Sequence, residues 1–462
     1  MRTLWGAGFE EDTNQLVARF SQSVHSDLTF WQEDVIGSVA HARMLGDTGI
    51  ISREESNLLI KGLEQIHEEG PDRLPKDVED IHTAVEVRLR EIVGDVAGKL
   101  NTARSRNDQI ATDTRLFLHN ELLRHLDLLK KLQRTLISLA DKHKDDLMPG
   151  YTHTQRAQPV TLGFHLLAHF WALQRHGYRA ERLTLLANFS PLGANVLAGT
   201  SFPINRDQTS DELGFTAPIP NALDATSDRS YILDALHLCA QTMIDLSRLS
   251  QELVLWSSRE YGFVTLSESV TTGSSVLPQK RNPDMAELIR GRAGKAIGNY
   301  VALATALKGL PLGYNRDTQD DKPPLFESLK LTRDAIRLSH LMLETANWHT
   351  DRMREAVRGD FSTATDLADA LAARGVPFRE AFEQVAKFVR HCEESGISLE
   401  DATMADLHHC IPEANEADLV LLQPEESVRR RNSFGAPGPE AMRIQLERAT
   451  AVVEAEGFAE LA

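Results

Sequence analysis

Four short polar segments carry the side chains best suited to holding an anion or moving a proton. They are residues 102–109 (TARSRNDQ), 150–159 (GYTHTQRAQP), 272–284 (TGSSVLPQKRNPD) and 314–322 (YNRDTQDDK). Each one interrupts a helical pattern, so none is an ordinary helix face. The chemistry of the chain is therefore expected in these segments.

The third segment, residues 272–284, is the most informative of the four. It combines the hydroxyl of Ser274 with the cation of Lys280 and the amide of Asn282, and its closing Pro-Asp pair predicts that a helix follows. Residues 280–295 hold five basic and two acidic side chains, although the formal net charge of the whole chain is −17. We therefore expect an anion to bind here.

The first segment precedes the longest helical pattern of the chain. Arg104, Ser105, Arg106 and Asn107 could donate charge-assisted hydrogen bonds to an anion near the positive end of that helix. An equally simple interpretation is a polar capping loop with Asp108 as the N-cap.

The second and fourth segments are weaker signals when each is taken alone. His153, beside Thr152, is a credible proton-transfer group, although a single histidine is more often structural. The fourth segment adds polar contacts from Tyr314, Gln319 and Lys322, but by itself it would be interpreted as a solvated loop.

Long helices must position these segments, because residues 99–148 contain neither Gly nor Pro. Leucines recur there at helical spacing, at positions 118, 122, 126, 129, 132, 136 and 139. Further breaker-poor stretches cover residues 164–189, 221–261, 299–308 and 325–358. Together they predict an all-α fold with a central bundle of about five long helices.

The flanking regions carry shorter helical patterns. Ser52 and Glu55 predict a capping box, Ser398 with Asp401 predicts a helix start, and the last helix is predicted to end near Ala462. We therefore predict an N-terminal helical domain, a central long-helix domain and a C-terminal helical domain, at residues 1–108, 109–360 and 361–462.

Composition excludes several classes of function. The chain has 462 residues with 50 Lys and Arg against 67 Asp and Glu, which disfavours nucleic acid and membrane surfaces as partners. No apolar run is long enough to span a membrane, and the N-terminus does not resemble a signal peptide. Three cysteines at unrelated spacings indicate neither disulfides nor a cysteine zinc site. A cytoplasmic location is expected.

Motifs for nucleotides, zincins and hydrolases are missing from the sequence, so cofactor-dependent chemistry is disfavoured. His165 and His169 share a helical face and could bind a metal, but no third ligand is identifiable from the sequence. Ordinary histidines lining a helix bundle are the preferred interpretation, and no metal or cofactor is expected.

The four segments together carry a family resemblance. Residues 272–284 resemble the GSSxMPxKxNP signature of the fumarase/aspartase superfamily, and the other three resemble the versions found in argininosuccinate lyases. Residues 79–83 (EDIHT) are similar to a further segment of that family, and the likeness extends from Trp5 to Ser433. The chain departs from the pattern at Gly8, Asn195, Leu277 and Arg281, where Arg, a small Ser-Gly pair, Met and Lys are usual.

The resemblance implies an all-α homotetramer with a twenty-helix core and active sites assembled from three subunits. It implies a reversible anti β-elimination that splits argininosuccinate into L-arginine and fumarate in arginine biosynthesis, without a cofactor or metal. The reaction removes a weakly acidic carbon-bound proton, so negative charge builds up on the neighbouring carboxylate and must be stabilised.

Residue roles also follow from the resemblance. Ser274 is implied as the general base, and Lys280 with Asn282 as the groups that stabilise the developing charge. His153, oriented by Glu287, is implied as the general acid or proton relay. The implied substrate-binding residues are Ser105, Arg106, Asn107 and Thr152 at the fumarate end, Ser23, Tyr314, Gln319 and Lys322 at the arginine end, and Asp27, Asp80 and His82 beside them.

Two other functions remain open from the sequence. The chain could act on another fumarate-releasing substrate, such as adenylosuccinate or aspartate, although the residues implied for the arginine end argue against this. It could also be a structural protein related to the lens crystallins, although the joint presence of Ser274, His153, Lys280 and Glu287 argues against that.

Overall fold

Helices make up most of residues 14–455, which are the residues described by the computed structural model of the protein. Nineteen α-helices lie in this range, together with short 3-10 turns and eight short strands. The all-α prediction is therefore confirmed.

The helices are numbered in chain order. They are α1 (Gln15–Ser21), α2 (Val24–Asp27), α3 (Trp31–Asp47), α4 (Arg53–Glu69), α5 (Ile81–Val93), α6 (Arg106–Lys142), α7 (Leu162–Ala187), α8 (Arg206–Glu212), α9 (Ala222–Ser227), α10 (Ser230–Trp256), α11 (Asp284–Leu307), α12 (Lys322–Glu344), α13 (Thr350–Val357), α14 (Ala364–Ala373), α15 (Phe378–Ser395), α16 (Met404–Cys410), α17 (Glu416–Leu421), α18 (Pro424–Arg430) and α19 (Pro439–Glu454).

The strands form four separate pairs, three of them antiparallel. These are β1 (Leu147–Thr152) with β2 (Gln155–Thr161), β5 (Val264–Thr265) with β8 (Asn347–Trp348), and β6 (Thr272–Gly273) with β7 (Arg281–Asn282). The parallel pair is β3 (Phe189–Ser190) with β4 (Ala217–Pro218). Two of these pairs, β1–β2 and β6–β7, hold the second and third polar segments.

Five long helices dominate the described residues, as predicted: α6, α7, α10, α11 and α12 have between 23 and 37 residues each. In α6, the longest, five of the seven leucines that predicted it are fully buried and two are half-buried. No helix in residues 14–455 combines the length and the apolar character needed to cross a membrane.

Three of the predicted helical stretches have different bounds in the structure. Helix α11 begins at Asp284 rather than near residue 299, because it contains three glycines that the sequence pattern treats as breaks. The stretch 221–261 divides into α9 and α10, where the Asp228 carboxylate accepts a hydrogen bond from Ser230 N (2.8 Å). The stretch 325–358 divides at β8 into α12 and α13.

Helix capping confirms one predicted start and corrects another. The Ser52 hydroxyl accepts a hydrogen bond from Glu55 N (3.2 Å), and the Glu55 carboxylate accepts one from Ser52 N (3.1 Å), which is the predicted capping box. The predicted start at Ser398 is wrong, since only a 3-10 turn follows it. The next α-helix starts after Thr403, which forms its own capping box with Asp406.

The C-terminal helix α19 ends at Glu454. Its predicted end near Ala462 lies outside the described residues, as does the sequence departure at Gly8.

The chain forms two compact units. The first unit comprises residues 14–127, 179–241 and 292–333 of the described chain, and the second comprises 128–178, 242–291 and 334–455. The first unit encloses a large apolar cluster built from helices α3 to α6 and their neighbours. In the second unit, a separate apolar cluster lies within residues 367–422.

Candidate active site

A polar cavity of about 220 Å³ lies in the first unit. It is lined by Ser23, Glu79, Asp80, His82, Arg106, Asn107, Ile110, Tyr314, Arg316, Gln319 and Lys322. Eight of these residues belong to the predicted substrate-binding set, although they come from four distant parts of the sequence. We call this cavity the polar pocket.

Hydrogen bonds between the segments hold one wall of the polar pocket together. Ser23 N donates to the carbonyl of Glu79 (2.8 Å), and the Ser23 hydroxyl donates to the Asp27 carboxylate (2.6 Å). Arg316 and Gln319 both donate to the carbonyl of Ser21, at 2.9 and 3.1 Å. Asp27 lies behind Ser23 and is fully buried. Burial raises the pKa of its carboxyl, although the nearby Lys322 acts in the opposite direction.

The start of α6 brings the first polar segment to the same pocket. Ser105 caps the helix, because its hydroxyl accepts a hydrogen bond from Asn107 N (3.3 Å) and its own N donates to Asp108 (3.0 Å). Asp108 therefore lies in the first turn and is not the N-cap. Arg106 lies 3.3 Å from the Asp80 carboxylate and 3.5 Å from that of Glu79, so acidic groups of the pocket hold its cation in place.

Lys322 is a buried cation of the pocket, with 2% of its surface exposed. Its ammonium group donates to one oxygen of Asp321 (3.0 Å), and Arg229 donates to the other oxygen (2.6 Å). A buried charge must be paired, and Asp321 pairs two of them at once. The position of the Lys322 ammonium group is therefore fixed by Asp321, which does not line the pocket.

The second polar segment forms a tight hairpin in the second unit. His153 and Thr154 are the two turn residues between β1 and β2, and both have positive φ angles, 54° and 58°. Both angles suit this type of hairpin turn, which usually takes Asn and Gly. A β-branched residue such as Thr154 is strained there. His153 is exposed at the tip of the hairpin, beside the exposed Thr152.

The third polar segment is a loop closed by the pairing of β6 with β7. The Ser274 hydroxyl oxygen accepts hydrogen bonds from Val276 N (3.2 Å) and Leu277 N (3.0 Å). Two backbone N–H groups on this oxygen would favour its alkoxide form. Asn282 is paired with Thr272 in the strand pair, and the Lys280 side chain is exposed in the loop.

In the part of the chain that the structure describes, Glu287 forms no ion pair with His153, although the resemblance implies that it orients this histidine. Among residues 14–455, Glu287 has its ion pair with Arg290 (3.8 Å), one turn further along α11. Glu287 and His153 are both exposed on the second unit. Their pairing stays a prediction.

Two groups of three side chains could be considered for a metal ion. His165 and His169 meet Glu252, the third partner that sequence analysis did not identify, and Asp34 and Asp113 meet His82. Both histidines of the first group lie 2.7 to 2.8 Å from the same oxygen of Glu252. Two ligands of a tetrahedral zinc ion would be about 3.3 Å apart. The observed spacing is that of charge-assisted hydrogen bonds.

Comparison with known proteins identifies the family. Residues 8–298 match a family model described as "Lyase", and residues 361–429 match one described as "Argininosuccinate lyase C-terminal". The argininosuccinate lyase of Thermus thermophilus is 46% identical over 450 residues, which cover 96% of this chain and 97% of that protein. The chain belongs to the argininosuccinate lyase family.

A further argininosuccinate lyase and a solved structure are also similar to this chain over most of its length. The argininosuccinate lyase of an Exiguobacterium species is 44% identical over 97% of this chain and 98% of its own length. A crystal structure of EDDS lyase in complex with formate superposes with a TM-score of 0.85 at 30% identity, and covers 94% of this chain and 88% of that one.

The departures from the argininosuccinate lyase pattern are compatible with the observed geometry. Leu277 contributes its backbone N–H to the Ser274 oxygen, and this contact does not depend on the side chain. Arg281 forms an ion pair with Glu268 (2.6 Å) at the edge of the loop. Asn195 has a φ of 55°, a left-handed conformation that Asn tolerates better than most residues.

Sequence reasoning missed three lining residues of the polar pocket. Glu79 and Arg316 lie inside segments that the sequence already singled out, so their position beside Asp80 and Tyr314 could have indicated them. Ile110 has no such signal, because an apolar residue in the first turns of a helix is expected to pack in the core.

Proposed function

We propose that this protein uses the polar pocket to bind argininosuccinate and splits it into L-arginine and fumarate by a reversible anti β-elimination. One observation carries the assignment of the pocket. Its walls combine the carboxylates of Glu79 and Asp80 with the cations of Arg106, Arg316 and Lys322. Argininosuccinate carries both cationic and anionic groups, so it needs both kinds of partner.

The proposed proton abstraction starts from Ser274. Its alkoxide removes the proton from the carbon next to a substrate carboxylate, and the electron pair moves onto that carboxylate. Lys280 and Asn282 stabilise this charge, together with the positive N-terminal end of α11. The two backbone N–H groups on the Ser274 oxygen support this role, because they favour the deprotonated form of the hydroxyl.

The proposed second half of the reaction breaks the bond between carbon and the guanidino nitrogen. The electron pair returns from the carboxylate to form the double bond of fumarate, and the leaving nitrogen takes a proton from His153. Glu287 would orient His153 for this transfer. The strained turn at His153 supports a functional role, since such strain in a protein clusters at active sites.

We further propose a division of the substrate between the predicted binding residues. Ser105, Arg106, Asn107 and Thr152 would surround the fumarate-forming end. Ser23, Tyr314, Gln319 and Lys322 would surround the arginine end, with Asp27, Asp80 and His82 beside them. Thr152 lies in the second unit, whereas the others lie in the first.

Assembly and location are also proposals. A cytoplasmic homotetramer with sites shared between subunits would bring His153 and Ser274 of different chains to each polar pocket. The exposed position of His153 supports this, because none of residues 14–455 of its own chain covers it. We retain the three domains at residues 1–108, 109–360 and 361–462, and the match of a separate family model to residues 361–429 supports the last of them.

A fumarate-release assay tests the activity directly. Purified protein is given argininosuccinate, adenylosuccinate or aspartate under the same conditions. We expect the highest kcat/KM for argininosuccinate. Release of fumarate from adenylosuccinate or aspartate alone would contradict the proposal.

Mixed chains test the shared site. Ser274→Ala and His153→Asn chains, each inactive alone, are unfolded together and reassembled. We expect partial recovery of fumarate release, because some sites would then receive both intact groups. The matched control reassembles each variant with itself. Lack of recovery in demonstrated mixed tetramers would contradict sharing.

A further inference from the structure

The imidazole of His82 occupies an unusual position between the polar pocket and the protein interior. His82 lies in the first turn of α5 and lines the pocket, yet only 5% of its side chain is exposed. Its Nδ1 lies 2.6 Å from an oxygen of Asp34, a residue of α3. Since a carboxylate accepts hydrogen bonds, Nδ1 carries the proton of this bond.

The Asp34 carboxylate is itself held from a second helix. The amide of Gln109, on α6, donates to the same oxygen of Asp34 at 2.6 Å. Asp113 lies one turn further along α6, with a carboxylate oxygen 3.7 Å from His82 Nδ1. Asp34 and Asp113 each have 1% of their surface exposed. The imidazole is therefore fixed by residues that do not line the pocket.

The charges of His82, Asp34 and Asp113 influence each other, and they favour one set of protonation states. Two neighbouring buried carboxylates cannot both be ionised at low cost, and burial together with the charge of Asp34 raises the pKa of Asp113 well above its usual range. Burial alone would lower the pKa of His82, but the Asp34 carboxylate, followed by Asp80 and Asp27, raises it. These directions, together with the lowered pKa of Asp34 beside His82, favour a neutral Asp113, an ionised Asp34 and a protonated His82.

The second ring nitrogen of His82, Nε2, is buried and makes no hydrogen bond with any of residues 14–455. A buried donor without an acceptor is unfavourable, so a ligand that supplies an acceptor at this place is stabilised. The carboxylates of the substrate are the acceptors that the proposed function provides.

We propose that Asp34, supported by Gln109 and Asp113, is a positioning residue that presents Nε2–H of His82 to a carboxylate of the substrate. The inference rests on the proposed function and deepens it, because it adds Asp34 of α3 and two further residues of α6, none of which lines the pocket, to the groups that prepare the site for the substrate.

A double-mutant cycle tests the inference. Asp34→Asn keeps the size of the side chain and an oxygen for Nδ1–H, but removes the charge that holds His82 protonated. We expect a loss of at least tenfold in kcat/KM, mainly through KM. In the His82→Gln background the same change should cost less than twofold, because Asp34 acts through His82. Losses that multiply in the double variant would overturn the inference.

The pH profile separates positioning from a merely structural role. In wild-type protein, kcat/KM should fall at alkaline pH as His82 loses its proton. Asp34→Asn should move this fall to lower pH by about one unit, since a neighbouring carboxylate shifts a histidine by that order. Glu33→Gln is the matched control on α3, because Glu33 is also buried but bonds to Asn120 (3.2 Å) instead. An unchanged pH profile in Asp34→Asn, with Glu33→Gln at the wild-type value, would contradict the inference.

A second variant keeps the inference testable if Asp34→Asn does not fold. Gln109→Met removes one donor to Asp34 and retains the length of the side chain. We expect a smaller loss in kcat/KM that also disappears in the His82→Gln background. An inactive wild-type protein would refute the proposed function, whereas active wild-type protein with multiplying losses would refute this inference alone.

Discussion

The polar pocket and the two loops that carry the predicted proton-transfer residues are built in opposite ways. In the pocket, Lys322 is 2% exposed and pairs with Asp321, which Arg229 holds from another segment, and Asp80 is 8% exposed and lies 3.3 Å from Arg106. In the loop of Ser274, the neighbouring Val276 is 81% exposed, and the hairpin of His153 is exposed at its tip.

This difference shows two ways in which a protein can fix the groups of a site, by side-chain contacts or by backbone hydrogen bonds. The pocket is organised by side chains within the first unit, so its binding groups need little rearrangement when the substrate enters. The loops of the second unit are organised by their own backbone, through short strand pairs and turns. Their outer faces remain available for other chains, as the proposed tetramer requires.

The largest expected effect is on catalysis in the Ser274 loop. Ser274→Ala should lower kcat by about 10²–10⁴-fold, since a positioned base contributes that much. Ser275→Ala is the matched control, because Ser275 is the next hydroxyl but is exposed, and its activity should be close to wild type. Fumarate release under saturating argininosuccinate measures both. Full activity of Ser274→Ala would remove Ser274 from the proposed mechanism.

The next effect concerns the stability of the pocket. Asp321→Asn should lower the free energy of unfolding by about 3–5 kcal/mol, because it leaves the buried cations of Arg229 and Lys322 without their shared partner. Asp317→Asn, at an exposed position of the same 3-10 turn, should change it by less than about 0.5 kcal/mol. Denaturant unfolding measures both. Equal values for the two variants would mean that the buried pairing does not stabilise the pocket.

A pH-dependent effect is expected at the entrance to α6. His41 is buried and lies 2.9 Å from the carbonyl of Thr102, in the first polar segment. Burial, followed by the charge of Arg104, lowers its pKa to about 3. Below its ordinary pKa near 6.5, the unfolded chain binds a proton that the folded chain does not, so stability falls as the pH falls.

The size of this loss of stability follows from the shift in the pKa of His41. Between pH 7 and pH 5, His41 should remove about 2 kcal/mol from the free energy of unfolding. His41→Gln keeps a donor for Thr102 but has no titratable group, and it should lose that part of the pH dependence. Unfolding at both pH values measures the difference between the two proteins. A difference that is the same at pH 7 and pH 5 would contradict the prediction.

Sequence patterns predicted the long helices well and their interruptions poorly. The leucines of α6 predicted this helix correctly, because the burial of one helical face requires apolar residues at steps of three or four. The glycines inside α11 led to a predicted start that was too late. Each glycine costs a helix about 1 kcal/mol of stability, and packing between helices offsets this cost. Ser398 misled because a capping pattern also fits a single 3-10 turn.

The candidate site shows the same limit for a different reason. Arg106 and Gln319 could be singled out from the sequence, because they lie in polar segments that resemble those of the argininosuccinate lyases. Asp34 and Asp113 could not be assigned in this way, because they lie inside helices and outside the polar segments, and only the fold brings them to His82. Groups that line a binding pocket are therefore easier to identify from sequence patterns than groups that only position those lining residues.

The smallest effect expected is the release of strain at the His153 hairpin. Thr154 has a φ of 58°, which costs a β-branched residue about 1–3 kcal/mol and costs glycine almost nothing. Thr154→Gly should therefore raise the free energy of unfolding by about 1 kcal/mol, after the greater entropy of glycine in the unfolded chain is included. Thr152→Gly, in the neighbouring strand β1, should lower it, because no positive φ is relieved there.

Activity then shows whether the strain serves the site. If the turn holds His153 for proton transfer, Thr154→Gly should be more stable but slower, with a lower kcat and little change in KM, since a freer turn holds His153 less firmly. Gain of stability with unchanged kcat would mean that the strain is not used to hold His153. In that case, the backbone of the His153 hairpin would affect the stability of the protein but not its catalysis, in contrast to the side chains that fix the polar pocket.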